Sequence, residues 1–201
     1  MKLYHCSKAR SSRVLWLLEE LGLDYQLEVM PFDAKALKAP DYLEISPFGK
    51  VPVLVDDAVT MVESVAIIQY ILHRYAGGRL EPLSTAPEYG QFLQWLHFGE
   101  STLMGPISQM LQHKLFLPEE LRDDDMASGA RRTFEQYASI LDQTVADRDY
   151  LLGDDFTAAD IVIGYSLFLA EMANMMPPKA THLAAYYQRL AQRPAFQKAT
   201  A

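Results

Sequence analysis

The sequence predicts an α/β domain followed by an all-helical one, on three observations. Short apolar runs alternate with helical patterns as far as Gly77-Gly78, in the order β-α-β-α-β-β-α, which fits one small α/β layer of about 80 residues. A Pro- and Gly-containing stretch over residues 78–87 then interrupts the pattern. Beyond it nothing strand-like appears, and helical periodicity continues over 88–112, 118–146, 157–174 and 182–192. The expected organisation is an α/β domain over 1–77, a linker over 78–87 and a helical domain over 88–201.

Each element follows from a local pattern. KLYHC (2–6) is a short β-like run, followed by the polar turn SKARSS. In RVLWLLEELGL, Val14, Leu17, Leu18 and Leu21 recur at helical spacing, Glu19 and Glu20 lie opposite, and Gly22 is a stop. Tyr25, Leu27 and Val29 alternate with polar residues, as in a half-buried strand. AKALKAPDYLEI is a weak, Pro-interrupted helix. VPVLV and VTMVE read as strands joined by a DDA turn, and SVAIIQYILHRY reads as a helix from Ser64. Gly105-Pro106 is expected to kink the first long helix of the second half.

Composition narrows the function. The chain has 201 residues, half of them hydrophobic, a net charge of −8 and a pI near 5.1. An acidic chain without a Lys/Arg block has no general attraction for nucleic acid or anionic lipid. No apolar stretch reaches the roughly 18 residues that span a bilayer, and the N-terminus lacks a signal-peptide core. A single cysteine, Cys6, excludes an intrachain disulfide and a thiolate cluster. The expectation is a cytoplasmic protein with no membrane or nucleic-acid partner. His5, His73, His97, His113 and His182 are scattered, so no metal is expected.

Two short stretches carry the chemistry. In ISPFGKVPVLVDD (45–57), Pro52 interrupts an apolar run that otherwise reads as a strand. X-Pro bonds adopt cis far more readily than others. A cis Val51–Pro52 bond at a strand edge turns the Val51 N–H and C=O outward, where an extended peptide can pair with them. An ordinary trans proline on an edge strand is the other reading. In MVESVAI (61–67), Glu63 and Ser64 stand between a strand and a helix. Ser64 is a good N-cap, the first-turn N–H groups suit a carboxylate, and Glu63 suits an ammonium group. Plain helix capping explains the same pair.

RVLWLLEELGLDY, SPFGKVPVLVDD, ESVAIIQYILHRY and FTAADI stand here in the order and spacing of the cytosolic glutathione transferases, and the chain resembles that family over nearly its whole length. Within that family it resembles a bacterial member of serine or atypical type. The resemblance implies a thioredoxin-like N-terminal domain, an all-α C-terminal domain (the GST fold) and a homodimer. It implies glutathione as co-substrate: Val51 bonds the cysteinyl backbone with Pro52 cis, Glu63 and Ser64 hold the γ-glutamyl end, and Lys50 lies near the glycyl carboxylate. Lys38 or Lys35 assists there. The activity implied is addition of the glutathione thiolate to small hydrophobic electrophiles, or peroxide reduction, in detoxification. A glutathione-binding or interaction module that has lost catalysis is the alternative.

A transferase must stabilise a thiolate with a donor or a positive field. The family's usual serine or cysteine position falls on Ala9, which has no donor. Ser11, close to the helix N-terminus, is the first candidate, with Arg10 as a cationic stabiliser and Tyr4 as another donor; Ser11 capping the helix is the competing reading. Cys6, with no second cysteine, reads as a small apolar residue at a strand end. The electrophile pocket is expected between the domains, lined by Phe98, Met104, Ile107 and Tyr165; core packing explains such residues equally well. In FTAADI, Thr157 and Asp160 form a capping-box arrangement, read as structural.

Overall fold

A computed structural model describes residues 1–201. The elements are β1 (Lys2–His5), α1 (Ser11–Leu21), β2 (Gln26–Val29), α2 (Ala34–Leu37), α3 (Pro40–Ile45), β3 (Val53–Asp56), β4 (Val59–Met61) and α4 (Ser64–Tyr75). Then follow α5 (Tyr89–Ser101), α6 (Met104–Leu111), α7 (Asp124–Thr144), α8 (Ala158–Met172), α9 (Thr181–Ala191) and α10 (Pro194–Thr200). A π-helical turn, Gln112–Phe116, extends α6, and a 3-10 turn, Glu119–Leu121, precedes α7.

The chain forms two compact units, residues 1–81 with 192–201, and residues 82–191. The expected helical domain thus ends ten residues early, because α10 returns to the first unit. Phe196 stacks edge-on against Trp16 with centroids 4.9 Å apart, and Arg193 clasps Glu20 through two bonds of 2.6 and 2.8 Å. α10 has seven residues and one large apolar side chain, too little for a periodic signal. It covers Trp16, and α1 buries Leu15 and Trp16 as well as the expected Val14, Leu17, Leu18 and Leu21.

In the first unit a four-stranded sheet runs β2-β1-β3-β4, with β1 parallel to β2 and both other pairs antiparallel. β3 is therefore a central strand, not the edge its proline suggested. Pro52 stands just before the first residue of β3, where no ladder N–H is needed. Val51–Pro52 is cis. β2 departs from its half-buried pattern: all four residues are exposed, since β2 is an edge strand with no further element over it. The weak helix resolves into α2 and α3, divided before Pro40.

The second unit is helical throughout. α5 and α8 approach closely at Gly99, where an added Cβ would lie 2.7 Å from a Val162 methyl carbon. The Ser166 hydroxyl, also on α8, lies 3.1 Å from the Gly99 carbonyl. The expected kink is a break: α5 ends at Ser101, α6 restarts at Met104, and Pro106 falls in its first turn, where a missing N–H costs no helical bond. Thr157 caps α8, and Asp160 returns to the Thr157 N–H at 2.8 Å, as the capping-box reading expected.

Candidate functional site

Strand register gathers the site at one end of the sheet. The pair Leu54↔Met61, continued two residues outward, sets Pro52 opposite Glu63. The pair Tyr4↔Val53, continued the same way, brings the end of β1 to that place. The Cys6–Arg10 turn, the Val51–Pro52 peptide and the Glu63–Ser64 junction therefore share one rim. All three belong to the first unit.

The Val51 segment is held from one side. Tyr42 on α3 donates its hydroxyl to the Lys50 carbonyl at 2.8 Å, and the Ser46 hydroxyl donates to the same oxygen at 2.9 Å. A trans peptide is planar, so its C=O and N–H point in opposite directions. Anchoring the Lys50 oxygen thus aims the Val51 N–H away from α3, and no hydrogen bond within the chain engages the Val51 main chain. Burial pushes the Tyr42 hydroxyl up to about 12, so it remains a donor at neutral pH. Replacing Tyr42 with Phe keeps the ring against Tyr4, 5.8 Å between centroids, and removes only the bond. Ligands that pair with Val51 should then bind about fivefold more weakly, one neutral hydrogen bond contributing roughly 1 kcal/mol. Calorimetry on Tyr42→Phe measures this, and unchanged affinity would show that the Lys50 peptide needs no such anchor.

Lys38 enters the same turn. Its Nζ donates to the Phe48 carbonyl at 2.8 Å, and the Leu37–Lys38 segment packs directly on Gly49. Gly49 has φ +58°, and a Cβ there would lie 2.5 Å from the Leu37 oxygen, so only glycine fits. Lys50 is exposed next to it. Lys35 lies on α2, in the last turn.

At the neighbouring junction the cap position is occupied by Glu63, and Ser64 is the first helical residue, which corrects the expectation of a Ser64 cap. Glu63 adopts φ +70°, a conformation that costs a non-glycine residue about 1–3 kcal/mol and sharply redirects the chain from strand to helix. Its side chain is exposed and makes no cap bond. Ser64 is buried, and its oxygen accepts from Arg13 Nη1 at 3.2 Å. The first-turn amides of α4 precede the first intrahelical bond, Ile67 N–H to Glu63 C=O.

The thiol-activating candidates divide. Ser11 is fully buried; its hydroxyl pairs with His5 Nδ1 at 2.9 Å, accepts from the Cys6 N–H at 3.2 Å and lies 3.2 Å from the Cys6 carbonyl. It ties α1 to the end of β1. Burial holds the His5 imidazole below its usual range, hence neutral. Arg10 occupies the cap position of α1 and is half-buried. The Tyr4 ring packs on Tyr42 and lies under the Lys2 ammonium, 4.7 Å from the ring centre. Cys6 is buried, and burial pushes its thiol up, away from the reactive thiolate.

In the second unit Met104, Ile107 and Tyr165 are buried. Phe98 keeps partial exposure between Trp95 and Tyr137, whose rings meet it edge-on at 5.4 and 5.8 Å. Sequence reasoning passed over Arg13, Tyr42 and Ser46. Arg13 had one signal: it lies four residues before Leu17, on the face that reads as core.

Family models, relatives and solved structures match this chain. Residues 3–79 match the family described as glutathione S-transferase, N-terminal domain, and residues 106–194 match its C-terminal domain. Glutathione S-transferase 3 of Zea mays is 32% identical over 198 residues, covering 94% of this chain and 87% of the maize protein. A ternary complex of BphK, a bacterial GST, superposes with a TM-score of 0.87 at 30% identity, covering 100% of this chain and 98% of that one. The theta class glutathione S-transferase of Xanthomonas axonopodis pv. citri, solved with glutathione bound, gives a TM-score of 0.84 at 29% identity, covering 99% and 96% of the two chains. The chain belongs to the glutathione S-transferase family.

Proposed function

We propose that the protein is a glutathione transferase, joining the glutathione thiolate to small hydrophobic electrophiles. The observation that carries this reading is the shared rim: a free Val51 main chain beside a helix tip bearing Ser64 and the exposed Glu63 carboxylate. Glutathione offers matching groups in that order. Its cysteinyl backbone pairs with Val51 across the strand-like segment, as an added strand does. Its γ-glutamyl carboxylate takes the α4 N-terminus and Ser64, and its ammonium takes Glu63. Lys38 and Lys50, beside Gly49, receive the glycyl carboxylate.

The reaction needs the thiol ionised at neutral pH, and a free thiol has a pKa of about 8.5. Arg10 supplies the positive field for the thiolate, together with the N-terminus of α1. Ser11, occupied with His5 and Cys6, serves the turn that presents them. Arg10→Ala should raise the thiol pKa by about one unit and lower kcat/KM about tenfold near pH 6.5. The loss shrinks as pH rises past the free-thiol value, because every thiol is then ionised. A rate deficit equal at all pH values would remove Arg10 from this role. Phe98, partly exposed, is the candidate contact for the electrophile, whereas Met104, Ile107 and Tyr165 are buried. The protein acts as a homodimer, covering apolar side chains such as Phe48, 62% exposed; light scattering should return twice the chain mass.

Retention on immobilised glutathione, followed by an activated aryl-halide assay, tests the function. Retention with turnover is expected. A non-catalytic glutathione-binding protein is the second reading, favoured by Ala9 and by the burial of Ser11. Retention without turnover would select it, and no retention would reject both.

A further inference from the structure

We propose that the open edge of β2 is a docking site for an extended segment of a partner protein, one that alternates apolar and basic residues. The proposal does not depend on the glutathione reading. β2 pairs only with β1, in the parallel register that runs from Lys2↔Gln26 to His5↔Val29. The Gln26 N–H donates to the Met1 carbonyl at 3.0 Å, and the Met30 N–H to the His5 carbonyl at 2.7 Å. Main-chain groups of a strand point to alternate sides, so residues 26, 28 and 30 bond inward to β1. Leu27 and Val29 therefore turn their N–H and C=O groups outward. Two donors and two acceptors stand in a row there, on a strand with no proline inside it.

The side chains select what the edge accepts. Leu27 and Val29 share a face of the sheet with their register partners Leu3 and His5. Leu54 and Leu3 are fully buried on successive strands of that row, whereas Leu27 is 40% and Val29 63% exposed. Apolar residues of an added strand would cover both and extend the row by one position. The other face carries Glu28, which Lys2 reaches at 3.0 Å, and residues 24–33 hold Asp24, Glu28 and Asp33 with no Lys or Arg. Basic residues alternating with the apolar ones thus meet acids. The same charges disfavour a second copy of this chain as the occupant. The antiparallel register that uses both outward residues pairs Leu27 with Val29 and sets Glu28 directly opposite the other copy's Glu28, a destabilising like-charge contact. Free edges are commonly guarded by lysine; here acids close the edge to itself and leave it open to a cation-bearing strand.

The test is fluorescence anisotropy at physiological ionic strength with three labelled octapeptides. One alternates Val and Lys, one alternates Val and Glu, and the third is the Val-Lys peptide methylated at its backbone nitrogens. The Val-Lys peptide should bind about tenfold or more tightly than either of the others. Val29→Pro removes an outward N–H and no ladder bond, and should weaken that peptide about tenfold. Glu28→Lys should weaken it about tenfold and strengthen the Val-Glu peptide. Melting curves establish which variants are folded; the methylated peptide needs no variant and decides alone if neither folds. Equal binding of the Val-Lys and methylated peptides would reduce the effect to attraction by an acidic surface and overturn the proposal. So would no binding of the Val-Lys peptide, or unchanged affinity in either folded variant. Association of the wild-type chain that Val29→Pro abolishes, seen by light scattering, would make a second copy the occupant and likewise overturn it.

Discussion

Asp160→Ala should cost the second unit about 3–5 kcal/mol of stability and lower its melting temperature by roughly 10 °C. The carboxylate is fully buried and accepts four hydrogen bonds: from the Leu151 N–H at 3.0 Å, the Thr157 N–H at 2.8 Å, the Thr157 hydroxyl at 3.0 Å and the Tyr186 hydroxyl at 2.8 Å. Burial pushes the acid's pKa up, and the four donors oppose that by favouring its ionised form. Removing it leaves all four donors buried without an acceptor, each costing about 1–3 kcal/mol before the site relaxes. The loss is not confined to the cap of α8. Leu151 lies in the turn before the helix and Tyr186 on α9, so one side chain ties three segments to one point. Asp160→Asn keeps one acceptor oxygen but turns an N–H₂ toward the remaining donors, and should recover less than half of the loss. Thermal and urea unfolding measure both. A melting temperature within 2 °C of wild type for Asp160→Ala would mean the network is replaced by water at little cost, an order-of-magnitude contradiction of the burial argument.

Trp16→Ala carries the second large effect, a loss of about 3–5 kcal/mol in the first unit. The indole is buried, its Nε1–H donates to Glu20 at 2.8 Å, and its ring receives the edge of Phe196 at 81°. Glu20 in turn binds Arg193 through both oxygens, a bidentate geometry stronger than a single-point ion pair. Lys198 reaches Glu19 at 2.6 Å one position along. The indole, the carboxylate and α10 thus form one seam, and truncating Trp16 opens a cavity and loosens the helix that covers it. Phe196→Ala should also destabilise, and the double variant should fall short of additivity by about 0.5–1.5 kcal/mol, the share of an aromatic pair. The chain's two tryptophans lie one in each unit, so Trp95→Phe leaves Trp16 fluorescence as the reporter of the first. Full additivity would separate α10 from Trp16 and make the seam a contact without energetic consequence.

Much of the candidate site was legible because its signals are local. A proline after Gly-Lys marked the Val51–Pro52 bond, and a Glu-Ser pair marked the start of α4. These depend on backbone preferences and on contacts three or four residues apart, which a sequence displays directly. Thr157 and Asp160 were legible for the same reason. The cap of α4 was misplaced by one residue because Glu63 takes φ +70°, a choice no propensity favours and only the surrounding fold sustains.

The amino-acid order by itself determined the two fold classes and marked the proline-bearing segment before β3 and the Glu-Ser junction before α4. Each is written in periodicity or in the chemistry of adjacent residues. Tertiary structure alone decided that Ser11 serves the end of β1, that β2 lies exposed, and that residues 192–201 complete the first unit. It also placed Arg13 behind Ser64, 51 positions away, and Arg193 on Glu20, 173 positions away. Such pairings are set by which surfaces meet when the apolar faces are buried. A hydroxyl or a guanidinium near a turn has several partners open to it locally, and the packing of distant segments selects one.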